Sequence, residues 1–280
     1  MDKPSRSRKQ RQFSHAGPFL AAVLCFLPLA PAMSGVALPH ADALRIGKRI
    51  WQNECNGTIA GLTSWNEGEN FASLGIGHFI WYPKGQRGPF EESFPNFIAY
   101  AHDQQAPLPV WIQHLGPGTT GHISCPWNSR TEFERAKDSP EMKQLRQFLA
   151  GTVDLQAEFL VKRLESALPK MLEEAPAEAR ANVQRQFERV AGTSQGCYAL
   201  VDYVNFKGEG VLHTERYRDQ GWGLLQVLAG MNSTGAGALD EFARSAATVL
   251  KRRVQNSPPE RKESRWLSGW LNRVNSYSRG

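Results

Sequence analysis

A row of leucines spaced by four residues constrains the fold of this chain more than any other feature. The row consists of Leu160, Leu164, Leu168 and Leu172. Residues four apart lie on the same face of an α-helix, so the row predicts a long amphipathic helix over residues 155–174. Such a helix has to bury its leucine face, and the second half of the chain is therefore expected to contain a helical core.

Helical patterns continue after this helix and are interrupted by breaks that contain Gly or Pro. They predict helices over residues 178–191, 197–207, 216–231, 238–254 and 265–276. Nearer the N-terminus, residues 43–54 also follow a helical pattern, whereas residues 61–83 hold short apolar segments among Gly, Ser and aromatic residues, which favours a small sheet. The sequence thus predicts an α+β, mainly helical fold with two lobes, a small β-hairpin lobe and a helical lobe.

The composition divides the chain into a leader and one folded domain. The leader covers residues 1–37 and the domain covers residues 38–280. Within the domain we distinguish a helix and hairpin at 43–83, an irregular insertion at 84–148 and the helical lobe at 149–280. The insertion is rich in Gly, Pro and aromatic residues, and we expect it to elaborate the surface with only one or two short helices.

The leader has the layout of a secretory signal. Five basic residues and one acidic residue precede an apolar run over residues 19–29, which small residues follow. A membrane-spanning helix needs about 20 apolar residues, so we predict a cleaved signal, export to the periplasm or the extracellular space, and no stable membrane insertion afterwards. The leader carries +4 of the net charge of +6, and the nearly balanced remainder gives no reason to expect a nucleic-acid partner.

The cysteines bear on both disulfides and metal binding. Removal of the leader leaves Cys55, Cys125 and Cys197. An oxidising compartment favours disulfides, so we expect one disulfide and one buried thiol, and the spacing allows any pair. A zinc site formed by His114, His122 and Cys125 lacks the usual spacing of ligand pairs, so no metal is expected.

Glu54 lies on the apolar face of the predicted first helix, at its C-terminal end. Burial disfavours the charged form of a carboxyl group and raises its pKa, and such an acid can donate a proton to a leaving oxygen near neutral pH. The spacing alone also allows a helix-terminal Glu whose side chain turns toward solvent. The residues that follow favour the first interpretation.

The segment after Glu54 resembles that of the phage-type lysozymes, or endolysins. Glu67, Ser73 and the turn Gly75-Ile76-Gly77-His78 follow Glu54 in that order, with five residues between Glu67 and Ser73. In the family a catalytic Glu ends the first helix, an Asp and a Thr follow with this spacing, and a Gly-x-Gly-His turn closes the strand. Here Glu replaces the Asp, Ser replaces the Thr, and the loop before Glu67 is longer.

The resemblance implies a role for each of these residues. Glu54 would protonate the leaving oxygen, Glu67 would position the attacking water, and Ser73 would help to hold that water. Glu69 is a second candidate for the Glu67 role. The implied reaction inverts the anomeric configuration and needs no metal or organic cofactor.

Residues 199–210 extend the resemblance into the helical lobe, since they are similar to an endolysin helix, although Asn205 and Phe206 stand in reversed order. Asn205 would donate a hydrogen bond to the substrate or to Glu54, and His78 would tie the hairpin to the neighbouring lobe. Trp65 and Trp81 flank the hairpin and could stack on a sugar ring. Packing alone is an equally good interpretation for Asn205, Trp65 and Trp81, and the alternative for His78 is a base or a ligand.

A competing pattern places the chemistry elsewhere. Glu209 followed by Gly223-Leu224-Leu225-Gln226 is similar to the Glu and Gly-Leu-Met-Gln pair of lytic transglycosylases. We disfavour this interpretation, because Gly223 falls inside a predicted helix and ordinary helix capping explains Glu209. Glu209 is then expected to line the substrate cleft instead.

The sequence therefore predicts an exported, monomeric peptidoglycan hydrolase that cleaves β-1,4 glycosidic bonds as an N-acetylmuramidase. Its partner would be the glycan strands of the cell wall. A lytic transglycosylase, a chitosanase-like glycosidase and a cell-wall-binding protein without catalytic activity remain as alternatives, since fold analogy alone does not establish activity.

Overall fold

The computed structural model describes residues 39–88, 90–115 and 123–279. The predicted leader and His122 lie outside the described residues. The described residues all belong to a single compact unit. With 63% helix and 6% strand, the structure confirms the predicted α+β, mainly helical fold.

Helix α1 spans His40–Cys55 and ends where Asn56 adopts a left-handed conformation, with φ of 53°. Its buried face carries Ala43, Ile46, Gly47 and Ile50. A methyl group on Gly47 would lie 2.6 Å from the backbone oxygen of Val153, so glycine lets α1 pack closely against the helix that begins there.

A three-stranded antiparallel sheet follows α1. It consists of β1 (Thr63–Ser64), β2 (Ala72–Leu74) and β3 (Phe79–Trp81) in that spatial order. Ser73 pairs with Ser64 on one side and with Ile80 on the other, at the centre of the sheet. Gly75, with φ of 70°, begins the turn from β2 to β3.

The region predicted as an irregular insertion is more regular than expected. Its described residues hold three helices and most of a fourth, α2 (Phe94–Asp103), α3 (Val110–His114), α4 (Arg130–Arg135) and α5 (Pro140–Gly151). Phe97 stacks on Phe79 with ring centroids 5.0 Å apart, and Phe94 packs on Trp81 at 4.6 Å. Its aromatic residues thus cover the sheet and share its core, which differs from the expected surface elaboration.

The helical lobe begins with α6 (Val153–Glu174), which contains the leucine row. It continues with α7 (Ala177–Ala191), α8 (Ser194–Lys207), a β-hairpin of β4 (Arg216–Tyr217) and β5 (Gln220–Gly221), α9 (Leu224–Ala229), α10 (Ala238–Asn256) and α11 (Leu267–Asn275). Residues 196–203 of α8 are all buried, so α8 is the central helix of the lobe.

The predicted helix over 216–231 is wrong in its first half. Arg218 and Asp219 both have positive φ, 50° and 61°, and form the tight turn between β4 and β5. Two consecutive left-handed residues cannot lie inside a right-handed α-helix. Helix α9 therefore begins only at Leu224, with Gly223 at its N-cap.

The expected disulfide is absent from the part of the chain that the structure describes. Cys55, Cys125 and Cys197 are all free and buried. Among the same residues, none of the helices is both long and apolar enough to span a bilayer.

Candidate active site

A cleft of about 590 Å³ lies between the three-stranded sheet and the helices α6 and α8. Its lining includes Ser73, His78, Arg163, Leu164, Asn205 and Glu209. Four predicted site residues, Ser73, His78, Asn205 and Glu209, thus meet at one cavity although they come from distant parts of the sequence. The other three, Glu54, Glu67 and Trp65, are not among its described lining residues.

The sheet supplies one wall of the cleft. Ser73 is buried in β2, and His78 has φ of 48° in the turn that leads into β3. The side chain of Gln156 in α6 accepts a hydrogen bond from the Ile76 backbone at 2.9 Å and donates one to the Leu149 backbone at 2.7 Å. This amide fixes the Gly-x-Gly-His turn against the helical lobe.

The two candidates for the second carboxylate occupy different environments. Residues Asn66–Glu69 form a turn in which Glu67 is exposed and lies outside the cleft. Glu69 lines the cleft, and its carboxylate accepts a hydrogen bond from the Asn66 amide at 3.1 Å. Of these two carboxylates, Glu69 is the one that the fold brings to the cavity.

Neither tryptophan beside the hairpin offers a free ring face. Trp65 is only 4% exposed, packs on Phe133 and donates its indole N–H to the backbone oxygen of Glu69 at 2.8 Å. Trp81 is fully buried. The expectation that Trp65 or Trp81 stacks on a sugar is therefore corrected, because both rings belong to the core.

Glu54 belongs to a buried polar cluster that joins three helices. Its carboxylate Oε1 accepts a hydrogen bond from Arg273 of α11, and that guanidinium also donates to both oxygens of Asp202 in α8 at 2.8 Å each. Tyr277 donates to Asp202 at 2.6 Å. The Glu54 side chain is 15% exposed and the Asp202 side chain 0%. Glu54 is thus neither turned into open solvent nor isolated among apolar groups.

The charges of this cluster depend on one another. Burial acts to lower the pKa of Arg273, but the hydrogen bonds and charge of Asp202 and the charge of Glu54 outweigh it and raise that pKa. Burial, followed by the charge of Asp202, raises the pKa of Tyr277. The arginine therefore stays charged and Tyr277 stays a hydrogen-bond donor.

The sequence reasoning missed Arg273 and Asp202. Asp202 interrupts the apolar run Ala199-Leu200-Val201, which is a usable signal of a buried charge that needs a partner. Arg273 stands in an ordinary polar context far along the chain, and no local pattern marks it as that partner.

Glu209 sits on a loop whose backbone is tightly held. The flanking glycines, Gly208 and Gly210, have φ of 87° and 84°, which favour glycine. The N–H groups of Leu224 and Leu225 donate to the backbone oxygens of Gly208 and Glu209, at 3.0 and 2.9 Å. The first turn of α9 thus finds its acceptors in the Glu209 loop.

The residues of the Gly-Leu-Leu-Gln pattern complete this attachment. A methyl group on Gly223 would lie 2.1 Å from the backbone nitrogen of Gly210, so the two glycines are in direct contact. The Gln226 side chain accepts from the Gly223 N–H at 2.9 Å and donates to the Gly210 oxygen at 3.0 Å. Gly223 follows the hairpin of β4 and β5 and caps α9. The expectation that Gly223 lies inside a helix, which disfavoured the lytic transglycosylase pattern, is therefore wrong.

Glu215 supports the same loop from the other side. Its carboxylate accepts hydrogen bonds from the N–H of Gly210 at 2.7 Å and of Leu212 at 3.4 Å. Burial raises the pKa of Glu215, although these N–H groups act to lower it. Glu209 itself has no hydrogen-bond partner for its side chain among the residues that the structure describes, so its carboxylate is free to meet a ligand.

Both signs of charge line the cleft. The carboxylates are Glu69, Glu91, Glu209 and Glu215, and the cations are Arg163 and Lys170. Both cations come from α6, opposite the sheet. A ligand with polar groups along its whole length would find partners on either side.

Within the described ranges, no group of three or more His, Cys, Asp or Glu side chains is arranged to hold a metal ion. Comparison of the chain with protein-family models, with curated proteins and with solved structures finds no match.

Proposed function

We propose that this protein is a peptidoglycan hydrolase that cleaves the β-1,4 glycosidic bonds of glycan strands bound in the cleft. The observation that carries the proposal is the meeting of Ser73, His78, Asn205 and Glu209 at one cavity between the sheet and the helical lobe. Glycosidases need carboxyl groups on two sides of the scissile bond, and this cleft has acids on the hairpin side and on the helical side.

In the proposed reaction Glu54 is the proton donor. Because Glu54 is not among the described residues that line the cleft, this role requires the scissile bond to reach past that lining to the Glu54 carboxylate. Arg273 donates a hydrogen bond to Oε1 of Glu54, and Oε2 has no hydrogen-bond partner among the described residues. Glu69 takes the role of the second carboxylate in place of Glu67, because Glu69 reaches the cleft. Ser73 and Asn205 then orient water or sugar hydroxyls from opposite walls.

A lytic transglycosylase is a second candidate, and one observation favours it. Glu209 lines the cleft on a loop that Gly223 and Gln226 hold in place. A carboxylate carried on such a fixed backbone suits a reaction with a single acid and base, since a loop that is already in place lowers the cost of positioning the reacting group. In this candidate Glu209 replaces Glu54 as the proton donor.

Digestion of purified sacculi by the wild type and by single Glu→Gln variants tests both candidates. For the hydrolase we expect new reducing ends, a loss of about a hundredfold or more in Glu54→Gln and a clear loss in Glu69→Gln. Glu67→Gln is the matched control, because this neighbouring carboxylate is exposed, and it should retain wild-type activity.

The products separate the candidates. Anhydro-muramyl ends that disappear in Glu209→Gln and persist in Glu54→Gln would replace the hydrolase by the transglycosylase. Cleavage of chitosan but not of sacculi would assign a chitosanase-like activity. Binding to sacculi without any cleavage by the wild type would contradict the enzyme proposal and support a wall-binding protein. Melting temperatures of all variants distinguish lost chemistry from lost folding.

A further inference from the structure

Phe90 is an exposed aromatic residue at the boundary of two cavities. It and Glu91 line the cleft and also line a second cavity of about 360 Å³. Both cavities fall in the range of about 300–1,000 Å³ that is typical of ligand sites. The two cavities thus share Phe90 and Glu91 as lining residues.

The exposure of Phe90 is unusual for this chain. Its side chain is 55% exposed, and only five large hydrophobic residues are exposed in the described part of the protein. One of the others, Leu212, lies on the helical wall of the same cleft. Two of the five exposed large hydrophobic residues of the described part of the protein therefore line this one cleft.

Phe90 is also held in place. Tyr82 donates its hydroxyl to the Phe90 backbone oxygen at 3.4 Å, and the Tyr82 backbone N–H donates to the Glu92 carboxylate at 2.8 Å. Ser93 exchanges two hydrogen bonds of 3.0 Å with the Ile80 backbone in β3. The Phe90 ring meets Phe71 nearly at right angles, with centroids 5.8 Å apart. Residues 90–93 are therefore attached to the sheet, and the ring is a preorganised surface.

We propose that Phe90 is a sugar-stacking platform that joins the cleft and the second cavity into one extended groove for a β-1,4 glycan strand. This inference rests on the proposed function and specifies its substrate as a strand longer than the cleft alone can hold. The ring stacks on the apolar face of one sugar, and polar side chains of the second cavity, including Arg87 and Asn96, bind the hydroxyl or acetamido groups of the next sugars.

Binding measurements with peptide-free glycan disaccharides and octasaccharides, prepared from amidase-treated sacculi, test the inference. They are made on full-length protein with both Glu54→Gln and Glu209→Gln, so that the strands are not consumed. We expect Phe90→Ala to weaken octasaccharide binding about threefold to tenfold with little effect on the disaccharide, and Phe90→Trp to restore it. Arg87→Ala should weaken the octasaccharide alone.

Val110→Ala is the matched control, because Val110 is 61% exposed and lines neither cavity. Unchanged octasaccharide affinity in Phe90→Ala overturns the platform. If Phe90→Ala weakens octasaccharide binding and Arg87→Ala does not, the strand is confined to the cleft and the extended groove is overturned. If instead no glycan of either length binds and sacculi are not cleaved by the wild type, it is the proposed function that fails.

Discussion

Arg273 meets two carboxylates at once, and one of them, Asp202, is completely buried. A buried ion pair adds little to stability in itself, but removal of one partner leaves an uncompensated charge. We expect Arg273→Ala to lower the free energy of unfolding by about 3–5 kcal/mol, as measured by urea denaturation. Arg265→Ala, at an exposed arginine, should change it by less than about 0.5 kcal/mol. Equal changes in the free energy of unfolding for the two substitutions would contradict the role of Arg273 in compensating the charges of Glu54 and Asp202.

The thiols of this protein are expected to be inert. Burial raises the pKa of Cys55 and Cys125 to about 12 and that of Cys197 to about 11. The thiolate is the reactive form, so iodoacetamide at pH 8 should leave all three unmodified in the native protein and alkylate them after unfolding in guanidinium. Peptide mapping by mass spectrometry measures this. Rapid native alkylation, or a disulfide between any two of them, would be the opposite result.

Among the secondary-structure elements, the contact between the Glu209 loop and the start of α9 leaves no room for a side chain at Gly223. Gly223→Ala places a methyl group against the Gly210 backbone, which cannot yield as a flexible side chain does. We expect a loss of about 2 kcal/mol or more in the free energy of unfolding and displacement of Glu209 from the cleft.

Gly269→Ala in α11 provides the control, because a methyl group there meets nothing within 4 Å. Alanine is the better helix former, so this variant should be neutral or more stable by up to about 1 kcal/mol. Denaturation curves for the two variants give the comparison. If Gly223→Ala unfolds like the wild type, the loop is not held by this contact.

The sequence predicts some elements of this fold, such as α6, and fails to predict others, such as the hairpin of β4 and β5. The leucine row predicts α6 within two residues at its start, because periodicity is a local property of the chain. The hairpin before α9 was missed, since Arg218 has no preference for left-handed backbone and Asp219, which does tolerate it, stands alone without a neighbouring Gly or Asn. Ser73, His78, Asn205 and Glu209 were predicted from local motifs, and all four line the cleft. Phe90 was missed, because its exposure beside a cavity depends on tertiary structure.

At the scale of the whole molecule, stability in acid should depend on Glu263. Its side chain is fully buried and accepts hydrogen bonds from Arg253 at 2.8 and 2.9 Å and from Tyr217 at 2.9 Å. Burial acts to raise the pKa of Glu263, but the hydrogen bonds from Arg253 and Tyr217 outweigh it and lower the pKa from 4.5 to about 2.

The sign of the pH dependence follows from this depressed pKa. The unfolded chain protonates Glu263 near pH 4.5 and the folded protein only near pH 2, so stability is complete above pH 4.5 and is lost as the pH falls toward 2. Glu263→Gln should lower the free energy of unfolding at pH 7 by roughly 1–3 kcal/mol. On acidification this variant should lose less stability than the wild type does. Thermal melts between pH 7 and pH 2 test this against Glu260→Gln, an exposed neighbour that should follow the wild type.

The link between Glu54 and Arg273 bridges 219 positions of the chain. Contacts of such long range form late, because the entropy of closing the intervening chain has to be overcome first. A half-folded molecule would therefore hold the acid of α1 without the arginine that orients it. On the proposed function, a molecule in which this contact has not yet closed would lack catalytic activity.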